Sequence, residues 1–208
     1  NRNVLQGTHY EDARVTHIYG TDPARTREVA ENADIPHIVA KAEDMLGKVD
    51  GVLCVWRHGD RHLPETLPFL EAGVPAFVDK PLAIKLDDAK TLIAAAERAG
   101  VGFSSFSTLR FAESTLAFLA EAEERAGELT AGISTGPADL DSEYGGLFFY
   151  AIHAVELMNA VWGYGCRSVS AVAHEKNVMA TCKLESGALV TLNLLENASY
   201  VFHLAGFG

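Results

Sequence analysis

One stretch decides the fold of this chain: Val74-Pro75-Ala76-Phe77-Val78-Asp79-Lys80-Pro81. Its apolar residues predict a strand, and the segment 84–99 that follows has the apolar spacing of an amphipathic helix. In an open α/β sheet, ligands bind beyond the carboxyl ends of the strands, which is where Lys80 would lie. Pro81 fixes the backbone after the lysine and removes an amide donor. For these residues alone, a surface turn with a solvated lysine is the alternative interpretation.

The first half of the chain alternates strand-like and helix-like segments around this stretch. The predicted strands cover 15–19, 38–39, 51–56, 76–78 and 101–106. The predicted helices cover 22–32, 41–46, 62–72 and 86–99. The segment 51–56 is a continuous apolar run, which predicts a strand buried on both faces. This order of elements predicts βαβ units and a parallel sheet.

The second half of the chain has a different pattern. Helices are predicted at 113–125 and 147–161, and strands at 129–134, 168–174, 178–184 and 188–195. The dipeptide Ser186-Gly187 predicts a hairpin turn between the last two strands. Consecutive strands after helices predict an α+β unit with an antiparallel sheet. We therefore expect two domains, at 1–108 and 109–208.

Composition and charge exclude some classes of protein. The chain has 208 residues, and its net charge of -11 argues against a nucleic-acid partner, because phosphate binding needs clustered Lys and Arg. The cysteines Cys54, Cys166 and Cys182 lack the spacing of a zinc site and predict thiols in a reducing, cytoplasmic compartment. No apolar stretch reaches the roughly 18 residues that a membrane span needs. No signal peptide is visible, although the first residue is not Met.

Several motifs, taken in order, resemble those of the Gfo/Idh/MocA oxidoreductases. The family has a strand, a polar turn ending in His, a helix ending in A/G-G, and a strand ending in E-K-P. Its later motifs are N-R-F/Y, G-x-L/I and G-G…H-x-x-D/E. The matching residues here are Leu53-Cys54-Val55-Trp56, His62, Leu70-Glu71-Ala72-Gly73-Val74-Pro75, Asp79-Lys80-Pro81, Leu109-Arg110-Phe111, Gly127-Glu128-Leu129, Gly145-Gly146 and His153-Ala154-Val155-Glu156. Each motif is weak alone, but the set covers most of the chain.

The resemblance implies a Rossmann domain followed by an α/β domain with a large, open, mainly antiparallel sheet. It implies NAD or NADP as cofactor and hydride transfer to or from a sugar, a polyol or a related alcohol. A lysine and a histidine would then handle the hydroxyl proton and the charge on its oxygen. The implied catalytic residues are Lys80 and His153.

The resemblance also assigns the binding residues. It implies that Asp79 and Pro81 shape the nicotinamide pocket, and that Trp56, Arg57 and His62 lie in a loop beside the cofactor. The substrate contacts that the resemblance implies are Arg110, Tyr150, His153 and Glu156. Family members are usually dimers or tetramers that associate through the sheet of the second domain, so we expect a homo-oligomer here.

Two departures concern the cofactor. A G-x-G-x-x-G loop is missing, and only 14 residues precede Val15, so we expect the first strand and this loop to lie before residue 1. The acid that usually binds the ribose hydroxyls is replaced by Gly20 when the Asp22-Pro23 dipeptide is aligned with the family. Asp22 is thus a candidate for cofactor binding and, more simply, for the N-cap of a helix. Without the acid, the sequence does not choose between NAD and NADP.

A third departure concerns catalysis. The family often carries Asp four residues before the helix histidine, and here that position is Phe149. Within a helix, Glu156 and Tyr150 are the neighbours of His153 able to orient its imidazole. The replacement of the acid favours the rival hypothesis, a non-catalytic dinucleotide-binding regulator or binding module. A smaller possibility is the redox-neutral cleavage of glycosides with tightly held NAD.

Two further alternatives come from the loop after Trp56. The cluster His58, Asp60 and His62 has residue types that bind metals, but a polar loop beside the cofactor is the simpler interpretation, so we predict no metal. Arg57 is equally well explained as a phosphate or acid contact and as an exposed side chain.

Overall fold

The computed structural model describes residues 12–196, 198 and 201–208. In the first half, the strands are β1 (His17–Ile18), β2 (His37–Ile38), β3 (Val52–Cys54), β4 (Ala76–Val78) and β5 (Phe103–Ser104). The helices between them are α1 (Pro23–Asn32), α2 (His62–Glu71) and α3 (Leu86–Ala99). Short 3-10 turns cover Ala42–Met45, Gly59–Arg61 and Thr108–Phe111.

The strands of the first half pair in parallel, as predicted. β3, β4 and β5 form one sheet, with α2 and α3 as the connections, and β1 and β2 form a second sheet around α1. The strands are only two or three residues long, shorter than the apolar runs that predicted them. Parallel strands joined by helices of this kind place their carboxyl ends on one edge.

The prediction that segment 51–56 is buried on both faces is wrong. Leu53 is 63% exposed and Val55 is 66% exposed. Both residues line a cavity of about 870 Å³ that separates β1 from β3, and these two strands are not paired with each other. An apolar run therefore marked a strand correctly, but the side of the strand that carries Leu53 and Val55 faces the cavity and is left uncovered.

Helix α1 begins as the sequence predicts. The Asp22 carboxylate accepts hydrogen bonds from the amides of Ala24 and Arg25, at 2.9 and 3.1 Å, and Pro23 takes the first helical position. These bonds satisfy two of the amides that have no partner inside the helix. Asp22 is thus the N-cap.

The second half is built around one five-stranded sheet. Its elements are α4 (Glu113–Ala126), β6 (Ala131–Pro137), α5 (Phe148–Trp162), β7 (Cys166–His174), β8 (Asn177–Leu184), β9 (Leu189–Leu195) and β10 (His203–Phe207). The strand order is β10-β6-β9-β8-β7, and all neighbours are antiparallel except β6 and β9. The prediction of a mainly antiparallel sheet is confirmed, although β10 was not predicted.

Helix α5 covers one face of this sheet and forms the core with it. The helix contributes Ala154, Met158 and Trp162, while β9 contributes Val190, Leu192 and Leu194. Close contact depends on Gly132 of β6, because a Cβ at this position would clash with the ring of Trp162. Since α5 is held firmly against the sheet, its first turns present a fixed surface to the first half of the chain. None of the helices in the described ranges has the length and apolar character needed to cross a lipid bilayer.

Candidate functional site

Lys80 follows β4 at the carboxyl edge of the parallel sheet. The pairing with β3 continues one residue beyond the strand, because the amide of Asp79 donates to the carbonyl of Cys54 at 2.8 Å. The lysine Nζ then donates to the backbone carbonyl of Phe149 at 3.0 Å. It lies over the aromatic rings of Phe149 and Tyr150, 4.6 and 5.6 Å from their centroids. The edge of the first sheet and the first turn of α5 therefore meet at this lysine.

The surroundings of Lys80 favour loss of its proton. Partial burial lowers the pKa of the ammonium below its ordinary value, and the charge of Arg57 acts in the same direction. Asp79 opposes the shift by attracting the cation. An amine that is less basic than usual exchanges protons more readily near neutral pH, as a residue acting on a hydroxyl group must.

His153 lies one turn further along α5. Its Nδ1 is 2.7 Å from the hydroxyl oxygen of Ser107, and its ring packs edge-on against Phe202 with centroids 5.6 Å apart. The ring of Tyr150 is 6.3 Å away. Burial, and then the nearby charge of Lys80, lower the pKa of His153 to about 4. The imidazole is therefore neutral at neutral pH, next to a cationic lysine.

His62 differs from what the sequence predicted. It is completely buried, so its ring has no surface that could touch a cofactor. Its Nδ1 lies 2.9 Å from the carbonyl oxygen of Pro81, and its Nε2 lies 2.8 Å from that of Trp56. The residue links the Lys80-Pro81 turn, whose peptide bond is cis, to the loop after β3. Because both ring nitrogens face carbonyls, His62 also has no nitrogen left for a metal.

The loop after β3 brings Trp56 and Arg57 to the same edge. Arg57 Nη1 donates to the Tyr144 hydroxyl at 3.4 Å, and its guanidinium lies 5.2 Å from the Tyr144 ring. Trp56 stacks under Arg61 at 4.4 Å. Tyr144 in turn contacts the ring of Phe149, with centroids 4.9 Å apart. Arg57 thus reaches across to the second half of the chain near Lys80.

Glu156 does not orient His153, contrary to the expectation from helical spacing. Its carboxylate accepts a hydrogen bond from Arg110 Nε at 3.0 Å, and Arg110 Nη2 donates to the Tyr164 hydroxyl at 2.8 Å. Arg110 and Glu156 are only 21% and 14% exposed, which makes this ion pair a partly buried one. The two predicted substrate contacts are therefore engaged with each other. Sequence analysis missed Ser107, the residue that does bond to His153.

The ribose end of the expected cofactor site has an unusual feature. A Cβ at position 20 would clash with the Oγ1 of Thr26, a buried hydroxyl that donates to the carbonyl of Asp22 at 2.7 Å. An acidic side chain thus has no room at position 20 without a change at position 26. Asp22 lies two residues further on, and one of its carboxylate oxygens caps α1.

The described residues fit one end of a dinucleotide better than the other. Lys80, with Arg57 and the backbone of Asp79, provides a cationic edge suited to a nicotinamide and the oxygen of a reacting alcohol. In the part of the chain that the structure describes, no glycine-rich turn after β1 or β3 offers the backbone amides that hold a pyrophosphate. No group of three or more metal-binding side chains occurs in those ranges either.

Several solved proteins share the fold of this chain. The scyllo-inositol dehydrogenase of Lactobacillus casei has 20% identity and a TM-score of 0.82, with 97% of this chain and 66% of that chain aligned. An oxidoreductase of Agrobacterium radiobacter, solved with NAD+, L-tartaric acid and magnesium, has 19% identity and a TM-score of 0.83 over 95% of this chain and 65% of that one. GenD2 of gentamicin A biosynthesis, solved with NAD, has 18% identity and a TM-score of 0.79 over 92% and 61%.

These chains are longer than the one described here, which spans 61 to 66% of their lengths. No curated protein sequence matches closely enough to count as a relative. A family model does match: residues 3–106, half of the chain, fit the model described as an oxidoreductase family with an NAD-binding Rossmann fold. The parallel sheet, the Lys80 edge and this match lead to the same conclusion. The chain belongs to the Gfo/Idh/MocA oxidoreductase family.

Proposed function

We propose that this protein is an NAD(P)-dependent dehydrogenase or reductase that acts on the CH-OH group of a sugar, a polyol or a related secondary alcohol. The observation that carries the proposal is the meeting of Lys80 with the first turns of α5. The lysine reaches 3.0 Å from the Phe149 carbonyl, and its charge contributes to the low pKa of His153. A substrate oxygen in this region would meet a lysine whose pKa is lowered, and a neutral imidazole.

The proposed roles follow from these charges. A bound nicotinamide supplies the hydride acceptor or donor. In its neutral form, Lys80 accepts the hydroxyl proton during oxidation; the resulting ammonium holds the reacting oxygen and returns the proton during reduction. His153 binds the same oxygen or its neighbour. The rings of Phe149 and Tyr150 exclude water from one side of the lysine, which strengthens its interaction with a developing alkoxide.

The experiment compares Lys80→Met with Lys90→Met, a change at an exposed lysine of α3. Turnover with a panel of polyols and sugars is measured together with NADH and NADPH binding, by fluorescence titration of the full-length protein. We expect Lys80→Met to abolish turnover while cofactor affinity stays within about threefold, a change of less than 1 kcal/mol. Lys90→Met should match the unmodified protein. Undiminished turnover in Lys80→Met would refute the assignment of the catalytic lysine.

A second candidate function is a non-catalytic dinucleotide-binding regulator on the same scaffold. Phe149 favours it, because an apolar ring stands where the family often has an acid. The same panel separates the two: dinucleotide binding without hydride transfer to any substrate would support the regulator. Redox-neutral cleavage of an aryl glycoside would instead support the glycosidase chemistry.

The cofactor titration also addresses the choice between NAD and NADP. With Gly20 in place of an acid, no side chain at that position repels the 2′-phosphate of NADP. Asp22 is the nearest acid in the sequence, and its side chain is exposed. We therefore propose that the affinities for NAD and NADP differ less here than they would in a site with an acid at position 20.

We further propose that the protein self-associates through the outer face of the second sheet. The paired residues Val172 of β7 and Met179 of β8 support this, because they lie on the same side of the sheet and are 72% and 56% exposed. Neighbouring exposed apolar side chains of this kind mark candidate contacts with another subunit. The mass in solution tests the proposal, and a monomer at micromolar concentration would refute it.

A further inference from the structure

Ser107 is a buried residue with no assigned role. It precedes the short turn Thr108–Phe111, and its side chain is completely inaccessible to solvent. Its hydroxyl oxygen accepts a hydrogen bond from the amide of Leu109 at 3.2 Å. The same oxygen lies 2.7 Å from Nδ1 of His153, a residue 46 positions further along the chain. The hydroxyl therefore connects a backbone cap to the histidine of the candidate site.

The position of the Ser107 hydroxyl hydrogen decides which nitrogen of the His153 imidazole carries the ring hydrogen. A serine hydroxyl has one hydrogen to donate, and the Leu109 amide, itself a donor, cannot receive it. Among the described residues, Nδ1 of His153 is the recorded acceptor within reach. If Nδ1 carried the ring hydrogen instead, the buried hydroxyl hydrogen would have no partner, which disfavours that arrangement by about tenfold.

We infer that Ser107 fixes the tautomer of His153, by donating its hydroxyl hydrogen to Nδ1 and so placing the ring hydrogen on Nε2. Ser107 is a positioning residue, since it acts through the histidine. This tautomer exists whether or not the protein is an enzyme, but its use in catalysis rests on the proposed function.

The tautomer gives His153 a defined task. With the proton on Nε2, the neutral imidazole is a hydrogen-bond donor to a substrate oxygen and is not a base toward it. Lys80 is then left as the group that takes and returns the hydroxyl proton. Two donors directed to one oxygen stabilise an alkoxide or a polarised carbonyl, as hydride transfer requires.

The test uses two buried serines that both contact α5. Ser134 is as inaccessible as Ser107, but its hydroxyl donates to the backbone carbonyl of Ala154 at 2.9 Å and forms no hydrogen bond with a histidine in the described ranges. Ser107→Ala and Ser134→Ala therefore remove equally buried hydroxyls that bond to the same helix. Ser107→Cys keeps a weak donor at nearly the same volume.

The first readout is the long-range 1H–15N spectrum of His153, recorded on the full-length protein without substrate. We expect Nδ1 to be unprotonated and Nε2 protonated in the unmodified protein and in Ser134→Ala. In Ser107→Ala the signals should shift toward a mixture of tautomers. In Ser107→Cys they should lie between those of Ser107→Ala and those of the unmodified protein. Protonated Nδ1 in the unmodified protein, or an unchanged spectrum in Ser107→Ala, would overturn the inference.

The second readout is turnover on whichever substrate the panel identifies. We expect kcat to fall about tenfold in Ser107→Ala with KM nearly unchanged, while Ser134→Ala keeps its kcat. Equal losses in both alanine variants would indicate a structural role and would overturn the catalytic part of the inference. If no substrate is found, the proposed function fails, and the spectrum still decides whether Ser107 sets the tautomer.

Discussion

His62 and His153 show how two histidines of one site take different roles. His62 is completely buried, and its nitrogens face the carbonyls of Pro81 and Trp56. His153 is partly open, has Ser107 as its one side-chain hydrogen-bond partner among the described residues, and is neutral at neutral pH beside Lys80. The ring of His62 has both nitrogens against backbone carbonyls and links two loops, whereas the ring of His153 has one nitrogen held, which is compatible with the proposed role of the other. The two histidines differ in their burial and in the backbone carbonyls around them, although the residue type is the same.

Replacement of His153 should produce the largest effect in this comparison. His153→Gln removes the imidazole donor and should lower kcat by about 10²-fold or more, the size expected for a positioned acid–base or donor group. Cofactor affinity should not change, because Lys80 and its turn are untouched. Steady-state kinetics and the NADH titration check both. A loss confined to KM would mean that His153 only binds substrate.

Replacement of His62 should mainly affect stability. His62→Phe fills the buried volume but removes the ring N–H that one of the carbonyls of Pro81 and Trp56 accepts, so we expect a loss of about 2–4 kcal/mol in the free energy of unfolding. His58→Gln, in the same loop, is the control: it replaces a partly exposed ring that caps the turn through Asp60 and should cost about 1 kcal/mol or less. Denaturant unfolding measures both. Equal losses would contradict the structural role of His62.

The pH dependence of stability should show the smallest effect. The unfolded chain protonates His153 near pH 6.5, whereas the folded chain does so only near pH 4. Between these values the unfolded state binds more protons, so the free energy of unfolding falls as the pH falls. Because the ring is partly open to solvent, we expect about 1–2 kcal/mol.

Urea unfolding at about pH 7 and about pH 5, in the unmodified protein and in His153→Phe, isolates this contribution. The difference in the free energy of unfolding between the two proteins should be smaller at the lower pH, because the variant has no imidazole to protonate. An equal pH slope in both would contradict the low pKa of His153.

The sequence predicted what depends on local pattern. Helix α1 begins at the Asp22 cap, the parallel strands follow the apolar runs, and Lys80 follows β4, all from short-range signals. The burial of Leu53 was predicted wrongly, because what covers each face of a strand depends on the packing around the whole sheet and not on the strand's own sequence.

The candidate site was harder to predict, because its contacts join distant residues. Helical spacing correctly places Glu156 near His153, but Arg110, 46 positions earlier, takes its carboxylate. Ser107 was not predicted at all, although its hydroxyl caps the turn Thr108–Phe111 in the structure. Its bond to His153 arises from the packing of that turn against α5, which no local pattern encodes. The catalytic and binding roles assigned to the site residues stay predictions.

The anchor of Lys80 has a consequence for how this site can change over time. Its acceptor at 3.0 Å is the backbone carbonyl of Phe149, and a carbonyl is present whatever side chain occupies position 149. The lysine can keep this bond while the side chain changes, so an acid at this position can be exchanged for an aromatic ring without releasing the lysine. The side chain at position 149 and the placement of the lysine are thereby separable, and position 149 is a place where selection or engineering can alter the first while preserving the second.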